Sequence, residues 1–301
     1  MITFYDAQTQ SFLNGMNQIQ QRLATAQQQL TTGLRINTVS DAPDQISDVL
    51  SLQTAISFNT QIGQNLASVK AETDTGESAV SSAVSLVEQA QSLGTEGADD
   101  MDSADTRQQL ATQLGNILTE LVNTANTSVN GRFIFAGDSD QTQPYTIDLT
   151  QTDPISAYAG SASTRQVEAP DGSTFAIALT AQQIFDGSGD GNSVFQSISN
   201  LRNALLNNDS SGIQAALAQV GSADTYLNDQ LTFYGNVQDQ VTNATNAQAN
   251  DDTQLRTQLS TLEDANETQS ITTLTEAQTE EQAALTSEAQ LPKTNLFSFL
   301  G

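Results

Sequence analysis

The sequence contains no cysteine, no histidine and no tryptophan. Without cysteine there is neither a disulfide framework nor a thiolate metal site. Without histidine the commonest general base and the commonest metal ligand are both missing. Nucleophilic catalysis would fall to serine or threonine helped by one of two lysines, Lys70 and Lys293. These absences argue against enzymatic chemistry, and no catalytic residue, metal ligand or cofactor is expected.

Positive charge is scarce as well. Nine basic residues face 35 acidic ones, a formal net charge of −26. That field repels a phosphate backbone, and no basic stripe offsets it, so nucleic acid is not an expected partner. Anionic membrane surfaces are disfavoured for the same reason. Charged residues of both signs reach only 15% and hydrophobic ones only 37% of the 301 residues. Uncharged Gln, Asn, Ser and Thr fill the difference. Such a balance suits helices packed among copies of themselves, where charged flanks are costly to bury. No stretch approaches the ~20 apolar residues that span a bilayer. The opening MITFYDAQTQSFLNGMNQ lacks the basic, apolar and small-residue regions of a cleaved secretory signal. If the chain leaves the cell, the expected route needs no such signal.

Proline is rare, at Pro43, Pro144, Pro154, Pro170 and Pro292. Because proline removes a donor and clashes with the preceding turn, 44–143 and 171–291 are free to be helical, whereas 144–170 is not. Seven of the eighteen glycines fall within 131–191, in the same middle region. The order is helix, irregular or β insert, helix.

The helical parts repeat apolar residues in alternating steps of three and four. Phe12, Met16, Ile19, Leu23, Ala26 and Leu30 form one series. Leu66, Val69, Thr73, Gly76, Val80, Ala83, Val87 and Ala90 form another, and Leu110, Leu114, Ile117 and Leu121 a third. From Leu227 through Tyr234, Val241, Leu255, Leu262 and Leu274 to Leu285 the pattern continues with gaps. This spacing draws one narrow stripe per helix, as coiled-coil seams require. The C-terminal stretch 221–289 has no proline and no evident cap, so one helix of roughly 100 Å is expected there at ~1.5 Å per residue. A lone helix cannot hide its stripe, so N- and C-terminal helices are expected to pair. In the middle, RFIFAG, PYTIDL and STFAIAL, each bounded by turn residues, are expected strands. Two short helices should follow, one carrying Val194, Ile198 and Leu201, the other Ile213, Leu217 and Val220.

Three stretches resemble the flagellin family. The first, Leu30 to Pro43, includes Gly33, Leu34, Arg35, Ile36, Asn37, Ser40, Asp41 and Pro43. It is similar to the family's turn "L-S-T-G-x-R-I-N-x-x-S-D-D-P", with Ala42 in place of the second Asp. The residues themselves read as a turn: Gly33 as a helix C-cap, Asp41 as an N-cap and Pro43 early in the next helix. The second stretch, Ala125 to Gly137, holds Asn126, Gly131, Arg132, Phe133, Phe135, Ala136 and Gly137. It resembles the run by which junction-type members of the family, more than filament subunits, enter their variable domain. The third runs from Leu262-Glu263-Asp264-Ala265-Asn266 to the apolar end Leu296-Phe297-Ser298-Phe299-Leu300.

The expected fold is mainly α: a long antiparallel, coiled-coil-like helical rod from N- and C-terminal segments with a small α+β insert. Its parts are a terminal helix and turn (1–43), the N half of the rod (44–130), the insert (131–220), the C half (221–289) and an apolar tail (290–301). The resemblance implies a structural subunit of the bacterial flagellum, located outside the cell. It would be exported unfolded through the type III apparatus with a chaperone, and would self-assemble as a ring between an inner junction protein and flagellin. The residues expected to touch other subunits are Phe12, Met16, Ile19, Leu23 and Leu30 at one end. Leu285, Leu291, Leu296, Phe297, Phe299 and Leu300 are their counterparts at the other. A filament flagellin of the same fold is the nearest alternative, and a secreted helical-stalk binding protein or adhesin the next.

Other motifs are weaker. Asp186-Gly187-Ser188-Gly189-Asp190-Gly191 imitates the start of a calcium loop, yet Ser197 stands where a bidentate Glu is needed. Four Asn-x-Ser/Thr triplets, at Asn126, Asn208, Asn243 and Asn266, are expected by chance in so polar a chain. The zinc protease that some flagellins carry needs His-Glu-x-x-His, which a chain without histidine cannot supply.

Overall fold

The computed structural model describes residues 2–99, 103–169, 172–187 and 193–290. Helices dominate: α1 (Ile2–Thr32), α2 (Ile46–Gly97), α3 (Ala104–Ala125), α4 (Val194–Leu206), α5 (Ser210–Glu263) and α6 (Glu267–Gln290). Among the described residues between α3 and α4 lie two hairpins and a single π-helical turn, Gln182–Asp186. One hairpin joins β1 (Ser128–Val129) to β2 (Arg132–Phe133), the other β3 (Gln166–Glu168) to β4 (Thr174–Ala176), both antiparallel. The fold is mainly α with a small β-containing insert. The chain divides into two compact units, one from residues 1–58 with 251–301, the other from 59–250.

In the unit of 59–250, the alternating stripe of α2 becomes the seam. Leu66, Thr73, Val80, Ala83, Val87 and Ala90 are each no more than 1% exposed. Leu110, Leu114, Ile117 and Leu121 of α3 are buried beside them. Here α2 and α5 run antiparallel: Asn59 and Gln248 each donate a side-chain N–H to the other's backbone carbonyl, at 3.0 and 3.2 Å, and farther along Gln238 reaches Asp74. α4 adds Ile198 and Leu201, and an aromatic group closes the core. Phe195 stacks on Phe185 with ring centres 5.2 Å apart, and Tyr145 meets Phe195 edge-on at 5.1 Å.

In the unit of 1–58 and 251–301, α1 and α6 form an antiparallel pair. Ser270 Oγ donates to Gln29 Oε1 at 3.0 Å, and Arg22 pairs with Glu280 farther along. The residues this pair buries are small: Ala26, Ser270 and Ala277. Beside it Ile36, Ala42 and Val49 form a compact cluster with Ile46, Leu259 and Leu262.

Several expected boundaries shift. The N-terminal run does not continue as one helix to residue 130, because α2 ends at Gly97 and α3 starts at Ala104. Ser103 caps α3 by accepting from the Thr106 N–H. The buried Arg107 guanidinium closes this corner, donating to Gly97 O, Asp99 O and Asn208 Oδ1. The single helix expected over 221–289 instead begins at Ser210, absorbing the second short helix, and breaks at 264–266. That break has a cap after all, since Asn266 Oδ1 accepts from the Gln269 N–H. The expected strands shrink. RFIFAG is extended only at Arg132–Phe133, PYTIDL makes one bridge, Ile147 with Ile155, and STFAIAL supplies β4.

Candidate functional site

The two terminal motifs, far apart in sequence, are bonded to each other. Gly33 ends α1 at φ +74°, a left-handed conformation that suits glycine, and its N–H returns to Gln29 O. The extended residues that follow meet the break between α5 and α6. The Ala265 N–H donates to Gly33 O at 2.8 Å, the Arg35 N–H to Glu263 O at 2.6 Å, and Leu34 and Asp264 form an antiparallel bridge. The Arg35 guanidinium reaches both Gln45 Oε1 and Leu262 O. Asn37 Nδ2 donates to Leu34 O, and Ile36 is buried under the turn. Ser40 and Pro43 remain exposed. The turn from Gly33 to Pro43 is thus a clasp that fixes two chain reversals against each other.

Asp41 is not the N-cap of α2. Its carboxylate points back and accepts from the Asn37 and Thr38 N–H groups at 2.8 and 2.7 Å. Those backbone donors, Thr38 first, hold its carboxyl below the usual range. The leading turn of α2 starts instead from Ala42 O, which accepts from the N–H groups of Gln45 and Ile46. That leaves Pro43 where a missing N–H costs nothing.

The stretch from Asn126 to Gly137 forms a second knot, inside the unit of 59–250. Asn126 grips the backbone of Tyr145 at both ends, accepting from its N–H at 3.0 Å and donating to its carbonyl at 2.9 Å. Phe135 is fully buried against Tyr234, and its carbonyl accepts from both the Ala181 N–H and the Tyr158 hydroxyl. Gly137, at φ +62°, lies so close to the next loop that a Cβ would fall 2.4 Å from Ser161 O. Ala136 is buried beside it and accepts from the Ser161 N–H. Gly131 completes the hairpin turn with Asn130, both at positive φ, and Phe133 is half-buried. Arg132 is exposed and pairs with Asp140 at 2.5 Å. A hydrogen bond from Gln141, then the Arg132 pair, hold the Asp140 carboxyl below its usual range.

The sequence gives no warning of a third feature. The Tyr145 hydroxyl donates to Asp186 Oδ2 at 2.6 Å. Burial raises the pKa of Tyr145, and burial likewise raises that of Asp186 above the usual carboxylate value. Asp186 opens the calcium-like loop, of which 188–191 lie outside the described residues. Among the described residues no group of three acidic side chains is placed to hold a metal.

The residues expected to meet other subunits are spread unevenly. Phe12, Met16, Ile19, Leu23 and Leu30 are each only half-buried along α1, and Leu285 of α6 is 54% exposed. Leu291, Leu296, Phe297, Phe299 and Leu300 lie outside the described residues. No described helix is long and apolar enough to cross a membrane.

Comparison with known proteins agrees with this architecture. Residues 5–140 match the bacterial flagellin N-terminal helical region. Flagellar hook-associated protein 3 of Escherichia coli K12 is 29% identical over 162 residues, 53% of this chain and 49% of that protein. The chain thus spans about half the length of the curated relatives it matches. A Vibrio parahaemolyticus structure assigned as a flagellar hook-associated protein superposes with a TM-score of 0.67 at 20% identity, over 75% of this chain and 100% of that one. The flagellar junction protein of Legionella pneumophila does so with a TM-score of 0.54 at 14% identity, over 65% and 99%. The chain is thus similar over residues 5–140 to the flagellin N-terminal helical region, in sequence to flagellar hook-associated protein 3, and in fold to a flagellar hook-associated protein.

Proposed function

We propose that this chain is a structural subunit of the bacterial flagellum, forming the ring that joins hook to filament. The observation that carries the reading is the sequence similarity to hook-associated protein 3. The half-covered stripe of the α1–α6 pair is in keeping with it, because a ring subunit must keep apolar surface for its neighbours. In this reading copies of the chain meet one another, an inner hook-associated junction protein on one side and flagellin on the other. Export outside the cell runs through the type III apparatus with a chaperone. No step of this role calls for catalysis, and the chain acts by shape and surface alone.

The test is filament attachment in a strain lacking the gene. Hooks without filaments, with flagellin shed into the medium, are the expected result. Hooks that still carry full filaments would overturn the reading. Absence of filament protein from both hook and medium would make the chain the filament subunit instead.

A further inference from the structure

Between Asp48 and Lys70, α2 carries no charged residue, in a chain whose net charge is −26. Leu50 and Phe58 lie on this stretch, 55% and 69% exposed. With Thr54 between them they step by four along one ridge of the helix, flanked by the exposed hydroxyls of Ser51 and Ser57. The small neighbours leave the Phe58 ring standing proud of the helix as a knob.

An uncharged hole lies elsewhere in the chain. Between the β3–β4 hairpin and α5 is a cleft of about 360 Å³, lined by Thr174, Phe175, Gln240, Asn243, Ala244 and Ala247 among others, none of them charged. It is large enough for a phenylalanine ring. Two other clefts are ionic in character, one lined by Arg22 and the other by Glu72, Arg132 and Arg165.

Charge decides what the knob can meet. Every described lysine and arginine already bonds within its own chain, through Arg22–Glu280, Lys70–Asp74, Arg132–Asp140, Arg165–Glu72 and Arg256–Asp252, or, for Arg35, Arg107 and Arg202, to backbone carbonyls. With five of the described cations already paired to carboxylates and a net charge of −26, two copies have little positive charge with which to offset their mutual repulsion. Contact is least costly where both faces lack charge. We propose that Phe58 of one copy seats in the hairpin–α5 cleft of a neighbouring copy. Knob and hole are different surfaces of the same chain, so the contact is heterologous and can propagate from copy to copy around a ring. The inference rests on the flagellar reading above and names the contact by which copies would meet.

The absence of native cysteine makes the test direct. Phe58→Cys and Ala247→Cys chains are expressed together in the strain lacking the gene, and attached flagella are oxidised. A disulfide-linked dimer that forms only when both variants are present is the expected result. No dimer, or a dimer of Phe58→Cys with itself, would overturn the contact. Separately, Phe58→Ser should keep the melting temperature of the purified chain while lowering its retention on hooks at least about tenfold, as loss of a central aromatic anchor does. Phe58→Leu should retain most of it. If the unaltered chain restores attachment and Phe58→Ser restores it equally, the Phe58 contact falls alone. If the unaltered chain does not restore attachment, the flagellar reading falls with it.

Discussion

The two units use the same three-and-four apolar spacing to different ends. In the unit of 59–250 the stripes of α2 and α3 are covered by α4, α5 and the insert, and Leu114, Leu118, Leu121, Ile198 and Leu227 have no exposed surface. In the unit of 1–58 and 251–301 the α1 stripe has one partner helix, and Leu13, Ile271 and Leu285 each remain more than half exposed. Two helices side by side cannot enclose a stripe; a third or fourth element is needed. The first unit is a finished core. The second is a pair held by a few side-chain bonds, small buried residues and the clasp at Gly33–Ala265.

The comparison breaks most readily at large side chains. Phe135→Ala, in the finished core, should cost about 3–5 kcal/mol. Met16→Ala, on the half-open stripe, should cost less than about 1 kcal/mol in the same isolated chain. Denaturant unfolding measures both, and equal losses would erase the distinction. Next, Arg107→Leu would remove the guanidinium bonds to Gly97 O and Asp99 O at a buried corner. A loss of about 1.5–3 kcal/mol is expected. Gly33→Ala meets no neighbour, since nothing lies within 4 Å of the added Cβ, so its cost is conformational alone. About 1–2 kcal/mol is expected, confined to the unit that holds the clasp and visible as faster proteolysis of α1 and α6 with the other unit intact.

The smallest effect is in pH dependence, where Asp41 of one unit and Asp186 of the other differ in sign. Asp41 has a lowered carboxyl pKa, so its contribution to the clasp is present above the ordinary carboxylate pKa and lost as pH falls through the lowered one. Asp186 has a raised one, so its contribution is present below the ordinary value and lost as pH rises through the raised one. Asp186→Asn keeps an acceptor for the Tyr145 hydroxyl and removes that loss. The variant should melt no lower than the parent at pH 7, and a lower melting point there would contradict the assignment.

Much of this was legible in the residues. The α2 stripe from Leu66 to Ala90 is buried as its spacing requires, and the α3 series likewise. Gly33 ends α1 in the conformation its position suggested. What was not legible depended on contacts distant in sequence. The break at 264–266 has no proline or glycine; it exists where the Gly33 turn supplies a carbonyl for the Ala265 N–H. The α2–α3 corner did carry local signals, Gly97 and the Ser103 cap, which a reading centred on proline passes over. Asn130-Gly131, both at positive φ, is a strong hairpin signal, and it explains why RFIFAG pairs only at its start. Beyond Phe133 the backbone bonds to loops rather than to a strand, because Phe135 and Ala136 turn into the core. Nothing in the sequence pointed to the Tyr145–Asp186 pair, whose members become neighbours only through the Asn126 grip and the π-helical turn.

The central claim is that one unit encloses its apolar stripes within a single chain while the other leaves its stripe half open. Amide hydrogen exchange on the purified monomer tests it most directly, because protection follows local opening free energy. The account predicts slow exchange in α3, α4 and 79–90 of α2, and exchange faster by about a hundredfold or more in 10–30 of α1 and in α6. Equal protection of α1 and α6 with the core helices would contradict it.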